Sequence, residues 1–165
     1  MNSANFDRLQ TAMDTFSLFG KIIISTPDNN DPNFVQTPIL LVEHNDRGAV
    51  GFVLHFPLKR NLNELNEFIN YPPIPIYIGG PVDQEHLFFL HRRPDLIDDG
   101  MHIMDGIYYA GNFQQALMHL QDQTLTEKDI RLFIGYAGWD PQQLEDEIKE
   151  GSWIVSEHTA SYVFS

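Results

Sequence analysis

The chain has 165 residues, of which 42% are hydrophobic and 12% aromatic, and it contains no cysteine. This length predicts one domain with its own hydrophobic core, and the absence of thiols excludes disulfides and thiolate chemistry. A net charge of −13 argues against a broad nucleic-acid-binding surface and against attachment to anionic membranes, since both depend on an excess of lysine and arginine.

No apolar run approaches the roughly 18 residues that a membrane-spanning helix needs. The first ten residues include Asp7 and Arg8 and lack the apolar stretch of a secretory signal. We therefore expect a cytoplasmic protein. The histidines form no zinc-binding pair of known spacing, and we expect neither a metal nor a cofactor.

The first third of the chain predicts a helix followed by a β-hairpin. An amphipathic N-terminal helix ending at Gly20 is predicted by apolar residues at helical spacing: Phe6, Leu9, Met13 and Phe16. Apolar and β-branched runs predict strands at residues 21–24, 38–44 and 49–54. Turn-forming residues at 45–48 join the last two strands as an antiparallel hairpin.

The middle of the chain predicts short elements separated by proline. Pro57 and Leu58 are expected to leave the sheet, and residues 61–68 predict a short helix. Prolines at 72, 73 and 75 exclude a helix or a central strand there, because proline lacks the N–H that pairs strands. Further strands are predicted at residues 76–78 and 86–91, and a hairpin at 101–104 and 107–110 around Asp105-Gly106.

The last third predicts two capped helices around a central strand at residues 130–134. Asn112 and Gln115 form a capping-box pattern at the start of a helix over 112–120. Asp140, with Pro141 and Gln143, predicts a second capped helix that closes at Gly151, before a strand at 153–155. Seven or eight strands and three to four helices predict a single α+β domain with a mixed, largely antiparallel sheet.

Two glycine-rich motifs close apolar runs, Ile-Gly-Gly-Pro-Val at residues 78–82 and Ile-Gly-Tyr-Ala-Gly-Trp-Asp-Pro at 134–141. Together with Pro27, Phe34, Glu43-His44, Gly48 and Gly51 upstream, and Trp153 downstream, this pattern resembles the YqgE/AlgH family of small bacterial proteins. The resemblance covers roughly residues 20–153. It implies one domain over residues 1–165 with a helical extension at 1–19. Family members usually continue beyond the point that matches Phe164, so we expect a C-terminal segment of the family to be absent here.

The two glycine motifs are the first candidate binding sites. Gly79, Gly80 and Pro81 predict either a loop of free N–H groups that binds an anion or a tight turn between strands. Residues 135–140 predict a loop between a strand and a helix N-terminus, in which Tyr136, Gly138 and Trp139 flank a ligand. The alternative is that Trp139 and Trp153 are core residues. The family places a glycine where this chain has Gln142, so any room that glycine gave a ligand is lost.

Three further features have weaker functional interpretations. His44 beside Asp46 suggests a general base with an orienting carboxylate, or a histidine bonded to a turn, but no Gly-x-Ser-x-Gly nucleophile motif accompanies it. Asp28, Asp31 and the neighbouring asparagines at 29, 30 and 33 offer oxygen ligands, yet they lack the EF-hand pattern and are typical turn residues. The acidic helix at 140–150 predicts a solvated face.

These features favour a non-catalytic binding or regulatory protein that acts through a protein partner or a small ligand. The family resemblance also implies regulation, because one branch is labelled a transcriptional regulator. Direct DNA binding is not expected, since no helix-turn-helix with a basic recognition helix is present. The alternatives are a small enzyme that uses His44 and the glycine motifs, or a homodimer that pairs an exposed sheet edge. No catalytic residue is assigned.

Overall fold

The computed structural model describes residues 17–29, 31 and 36–165. The predicted N-terminal helix and part of the 28–33 loop lie outside the described residues. Within them, no helix combines the length and the apolar character that crossing a membrane requires.

The described chain forms ten strands, three α-helices and two short 3-10 helices. The strands are β1 Ile22–Ser25, β2 Pro38–Asn45, β3 Gly48–Val53, β4 Pro57–Asn61, β5 Pro75–Ile78, β6 Val82–His91, β7 Met101–Met104, β8 Ile107–Tyr109, β9 Ile130–Trp139 and β10 Trp153–Ser156. The α-helices are α1 Phe113–Gln121, α2 Gln143–Lys149 and α3 Ala160–Val163, and the 3-10 helices are Leu62–Glu64 and Asn66–Phe68.

The strands form one sheet in the order β10-β1-β2-β3-β9-β6-β8-β7, with every neighbouring pair antiparallel. β5 runs parallel to the first half of β9, and β4 pairs with β5. The predicted α+β class and the mixed, largely antiparallel sheet are confirmed. The predicted β2–β3 and β7–β8 hairpins are confirmed as well, because their turn residues fix them locally.

Two predictions about strands are wrong. Pro57 and Leu58 do not leave the sheet but begin β4, whose irregular pairing with β5 tolerates proline at its first residue. β9 does not end at Ile134 but continues to Trp139, so the predicted 135–140 loop is largely strand. Gly135 has a φ of 71°, which lets β9 change direction without ending.

The glycines at 79, 80 and 135 allow the segment between β5 and β6 to cross closely over β9. β5 and β6 lie on opposite sides of β9, so the segment that joins them passes directly over that strand. A Cβ on Gly80 would come within 2.1 Å of the Tyr136 backbone, and one on Gly135 within 2.4 Å of the Gly80 carbonyl oxygen. Only glycine permits backbones to approach so closely.

Both faces of the central strands are buried, because successive side chains of β1 and β2 pack into different hydrophobic clusters on opposite faces of the sheet. On one face Ile23, Ile39 and Leu41 pack with Trp139, Trp153 and Leu144 of α2. On the other, Ile22 and Leu40 pack with Phe52, Phe133 and Val163 of α3. A third cluster includes residues of α1 and the first 3-10 helix together with Ile130 and Leu132 from the first half of β9. Each fully buried side chain of this kind stabilises the fold by about 1.5–3 kcal/mol.

Candidate functional site

His44 lies near the end of β2, and both of its ring nitrogens are engaged. Nδ1 accepts a hydrogen bond of 2.8 Å from the Leu18 N–H, and Nε2 lies 2.6 Å from Glu145 Oε1. Because a backbone N–H can only donate, Nδ1 is the acceptor, and Nε2 carries the proton that it donates to Glu145. The carboxylate partner is therefore Glu145 of α2 and not the neighbouring Asp46. The side chain of His44 is only 8% exposed, and this arrangement leaves no ring lone pair for general-base work.

The acidic helix α2 is not simply a solvated face, which corrects the prediction made for it. Glu147 Oε1 accepts hydrogen bonds from the indole N–H groups of Trp139 at 3.1 Å and of Trp153 at 2.8 Å. The two indole rings meet edge to face, with centroids 5.7 Å apart. Trp139 and Trp153 are 7% and 1% exposed. One carboxylate thus joins β9, β10 and α2, and both tryptophans belong to the core.

The start of α2 also differs from the predicted capping box. The Gln143 side chain accepts a hydrogen bond from the Asp140 N–H at 2.8 Å, so half of the box forms. The helix itself begins only at Gln143, and no side-chain cap completes it. Gln142 precedes it with a φ of 69°, in the left-handed region. The glycine that the family places at this position therefore matches a backbone requirement rather than space for a ligand.

The Gly79-Gly80-Pro81 segment is occupied by backbone contacts. The Gly79 N–H donates to the Ile134 carbonyl at 2.8 Å, and the Gly79 carbonyl accepts from the Val53 N–H at 2.8 Å. The Gly80 carbonyl accepts from the Gln84 side chain at 2.9 Å. The close crossing over β9 accounts for both glycines.

Two open pockets adjoin at the end of the β2–β3 hairpin, where Glu43 of β2 pairs with Val50 of β3. Because both pockets are lined by Glu43 and Val50, they are called here the two lobes of one cleft. The Asn45 side chain accepts from the Arg47 N–H at 2.8 Å and so fixes the hairpin turn. The larger lobe, of about 620 Å³, is lined by Ser17, Phe19, Val42, Glu43, His44, Asn45, Val50, Met101 and Tyr109. The smaller lobe, of about 320 Å³, shares Glu43 and Val50 and adds Arg47, Gly48, Ala49, Val82, Tyr136, Gly138, Trp139 and Asp140.

Gly138 contributes to the opening of the smaller lobe, because it pairs with Val50 and has no side chain. A Cβ built there would lie 3.4 Å from the nearest Tyr136 ring atom and 4.0 Å from the Ala49 carbonyl oxygen, which are ordinary contacts. A Cβ on Gly51, by contrast, would lie only 2.6 Å from Ile39 Cγ2 and 2.9 Å from the Leu40 carbonyl oxygen. The fold requires glycine at 51 but not at 138.

The charges at the cleft centre on Glu43. Its carboxylate accepts from the Asn45 side-chain amide at 3.2 Å. Burial raises the pKa of the Tyr109 hydroxyl, and the nearby Glu43 carboxylate and Tyr136 raise it further. In the described part of the chain, no ion pair within 4.0 Å involves Glu43, Arg47 or Asp140. Nor do the described residues hold three metal-ligating side chains together.

The cleft brings together four of the seven residues that the sequence singled out for binding: His44, Tyr136, Gly138 and Trp139. Gly79, Gly80 and Pro81 stand apart from it. Sequence reasoning missed Val50 and Tyr109 as lining residues, because each stands in a predicted strand with nothing local to mark it. Glu43 was visible only as part of the family pattern.

Both the sequence and the structure are similar to those of known proteins. A family model described as AlgH-like matches residues 22–165. A UPF0301 protein from Chlorobaculum parvum is 34% identical over 88% of this chain and 78% of its own length. A UPF0301 protein from Cytophaga hutchinsonii is 38% identical over 88% of this chain and 80% of its own length.

Two solved structures share the fold. The AlgH protein from Pseudomonas aeruginosa has a TM-score of 0.72 at 32% identity, covering 89% of this chain and 82% of that one. A protein from Corynebacterium diphtheriae has a TM-score of 0.73 at 24% identity, covering 96% of this chain and 85% of that one. The names of these four proteins state no ligand and no reaction.

Proposed function

The chain belongs to the AlgH-like family, and we propose that it is a non-catalytic binding protein whose ligand occupies the two-lobed cleft around Glu43 and Val50. In this proposal it acts in the bacterial cytoplasm and regulates through what it binds, either a small ligand or a protein partner. The acidic composition supports a role without direct contact to nucleic acid.

Gly138 is the observation that carries the proposal. Glycine inside a strand weakens it by roughly 0.5–1 kcal/mol relative to alanine, because more backbone freedom is lost on folding. The backbone at Gly138 is not in the left-handed region, and a Cβ would fit there. Glycine in a strand often marks a place where another molecule approaches closely. A ligand over the face of Tyr136 supplies that reason here.

The enzyme alternative has less support. It requires His44 to exchange protons with a substrate, whereas its ring nitrogens contact Leu18 N and Glu145. Those bonds tie β2 to α2 and to the segment before β1, which is a structural role. The cleft's other ionisable groups include the carboxylates of Glu43 and Asp140 and the phenols of Tyr109 and Tyr136, which also suit ligand recognition.

A thermal-shift screen with metabolites, nucleotides and amines tests the proposal. At a hundred times its dissociation constant, a ligand stabilises the fold by about 2.7 kcal/mol, and each kcal/mol moves the midpoint by roughly 2–4 °C at this size. We expect hits on the wild type that disappear in Gly138→Val. Gly138→Ala, whose Cβ meets only ordinary contacts, should leave the midpoint without ligand unchanged or higher.

Gly151→Ala is the matched control. Gly151 follows α2 with a φ of 85° and lies outside the cleft, so alanine there strains the backbone and lowers the midpoint. Its ligand-induced shift should survive. Hits that persist in Gly138→Val would contradict a site in the smaller lobe, and hits that vanish equally in Gly151→Ala would contradict a site anywhere in the cleft.

A further inference from the structure

We propose that the group recognised in the cleft is a cation, an ammonium or guanidinium on an apolar stem, with Glu43 as its counter-charge. This inference rests on the proposed function and names the ligand chemistry of the same site. It applies first to the larger lobe, which contains Glu43 and, among the described residues, no lysine or arginine.

Glu43 lies at the centre of the cleft. It lines both lobes and is exposed, and it pairs with Val50, the other residue that lines both. Its bond from the Asn45 amide fixes the carboxylate but does not neutralise it. A carboxylate held in place and without a counter-ion among the described residues binds a cation through charge-assisted hydrogen bonds, which are about twice as strong as neutral ones.

Two tyrosines line the cleft together with this carboxylate. Tyr109 lines the larger lobe and Tyr136 the smaller one. Burial, Glu43 and Tyr136 all raise the pKa of the Tyr109 hydroxyl, so that ring stays a neutral phenol. The face of a neutral aromatic ring attracts ammonium and guanidinium groups electrostatically. The rings therefore add to the preference that Glu43 creates.

The rest of the larger lobe fits an apolar stem. Phe19, Val42, Val50 and Met101 line it, and Met101 is 46% exposed. A methionine side chain adapts its shape to an aliphatic or aromatic neighbour. An alkyl chain lying on these residues would place its charged end at Glu43.

An anionic ligand fits less well. Asp140 adds a second carboxylate to the smaller lobe, and in the described part of the chain Arg47 is the one lysine or arginine that lines either lobe. The net charge of −13 also draws cations rather than anions towards the surface.

Three probes of matched length test the inference on the full chain: n-hexylammonium, hexan-1-ol and hexanoate, with calorimetry as the readout. We expect n-hexylammonium to bind about tenfold more tightly than hexan-1-ol, as a hydrogen bond to a charged group allows. Glu43→Gln should remove that advantage, so that n-hexylammonium and hexan-1-ol bind with similar affinity. Glu127→Gln, at an exposed carboxylate away from the cleft, should change neither.

A peptide arm separates a free amine from a side chain of a protein partner. A capped Ala-Lys-Ala peptide that binds more tightly than n-hexylammonium, and loses that affinity in Glu43→Gln, assigns the site to a protein-borne lysine. The reverse order assigns it to a free alkyl amine.

The failures of the two proposals are distinguishable. If hexan-1-ol or hexanoate binds as tightly as the amine and Glu43→Gln has no effect, while amide-proton shift changes centre on Val50 and Tyr109, the cleft is a site but the cation inference is overturned. If no probe binds up to its solubility limit, or if the shift changes centre outside the cleft, the proposed function fails together with the inference.

Discussion

Replacing Glu147 by leucine removes the acceptor shared by the two tryptophan indoles. In the native fold this carboxylate bonds Trp139 Nε1 at 3.1 Å and Trp153 Nε1 at 2.8 Å, and its second oxygen accepts from the Gln143 side chain at 2.9 Å. Leucine is similar in size and cannot accept a hydrogen bond. Two donors on nearly fully buried rings then lose this partner.

The expected loss follows from the charge and burial of the group. A hydrogen bond to a charged group contributes about 1.5–3 kcal/mol, and Glu147 is half-buried, so the lower end applies to each indole bond. Two such bonds give about 3 kcal/mol, or a fall of roughly 6–12 °C in the midpoint at this chain length. Glu147→Gln keeps a neutral acceptor and should lose only about 1 kcal/mol.

Tryptophan fluorescence during urea unfolding is the direct assay, since Trp139 and Trp153 are the only tryptophans in the chain. Glu150→Leu is the control, because that exposed side chain lies in the same acidic run, immediately after α2. The expected order of destabilisation is Glu147→Leu, then Glu147→Gln, then Glu150→Leu. If Glu147→Leu unfolds within about 0.5 kcal/mol of Glu150→Leu, the typical effect of a surface substitution, the reasoning is refuted.

Three further predictions concern single residues. Gln142→Gly should raise the free energy of unfolding by up to about 1 kcal/mol, because glycine adopts the left-handed backbone at φ 69° without strain. If Gln142→Ala is at least as stable as Gln142→Gly, this reasoning is refuted. His44→Ala should lower the free energy of unfolding by about 1–3 kcal/mol, because Leu18 N–H and Glu145 lose their partner; unchanged urea unfolding would refute it. Burial lowers the pKa of His91 below its ordinary value of 6.5, so the unfolded chain takes up more protons on acidification. The free energy of unfolding should therefore fall as the pH drops below 6.5. In His91→Gln the urea midpoint should fall less steeply with decreasing pH than in the wild type, and an equal pH dependence would contradict the prediction.

Local sequence predicted the elements that local chemistry determines. The turns at residues 45–48 and 105–106 have residues that favour a reversal, and both hairpins form. Asn112 caps α1 by accepting from the Gln115 N–H at 3.0 Å. The Gln115 side chain does not complete the box, however, because it bonds Asp98 instead, a partner 17 positions away.

Elements set by distant contacts were not predictable in this way. The glycines of the 134–141 motif indicate a loop when read locally, yet β9 continues through them, since β3 and β6 pair with it on both sides. Gly79 and Gly80 look the same in sequence whether they bind an anion or cross a strand. The crossing depends on β9, which lies some fifty positions further along the chain.

The site was predictable in its residues more than in its arrangement. His44 was singled out, but Glu145 lies 101 positions away and no spacing connects them. Gly138 was singled out as well, yet its significance depends on what a Cβ would meet, which only packing reveals. The role of these residues in ligand binding stays a prediction.

An amide-proton NMR titration of the wild-type chain with n-hexylammonium tests the central claim most directly, because it locates binding without assuming a function. We expect the largest shift changes at Glu43, Val50 and Tyr109, and much smaller ones at the same ligand concentration in Glu43→Gln. Shift changes centred on Gly79-Gly80, or spread evenly over the acidic surface, would contradict the central claim.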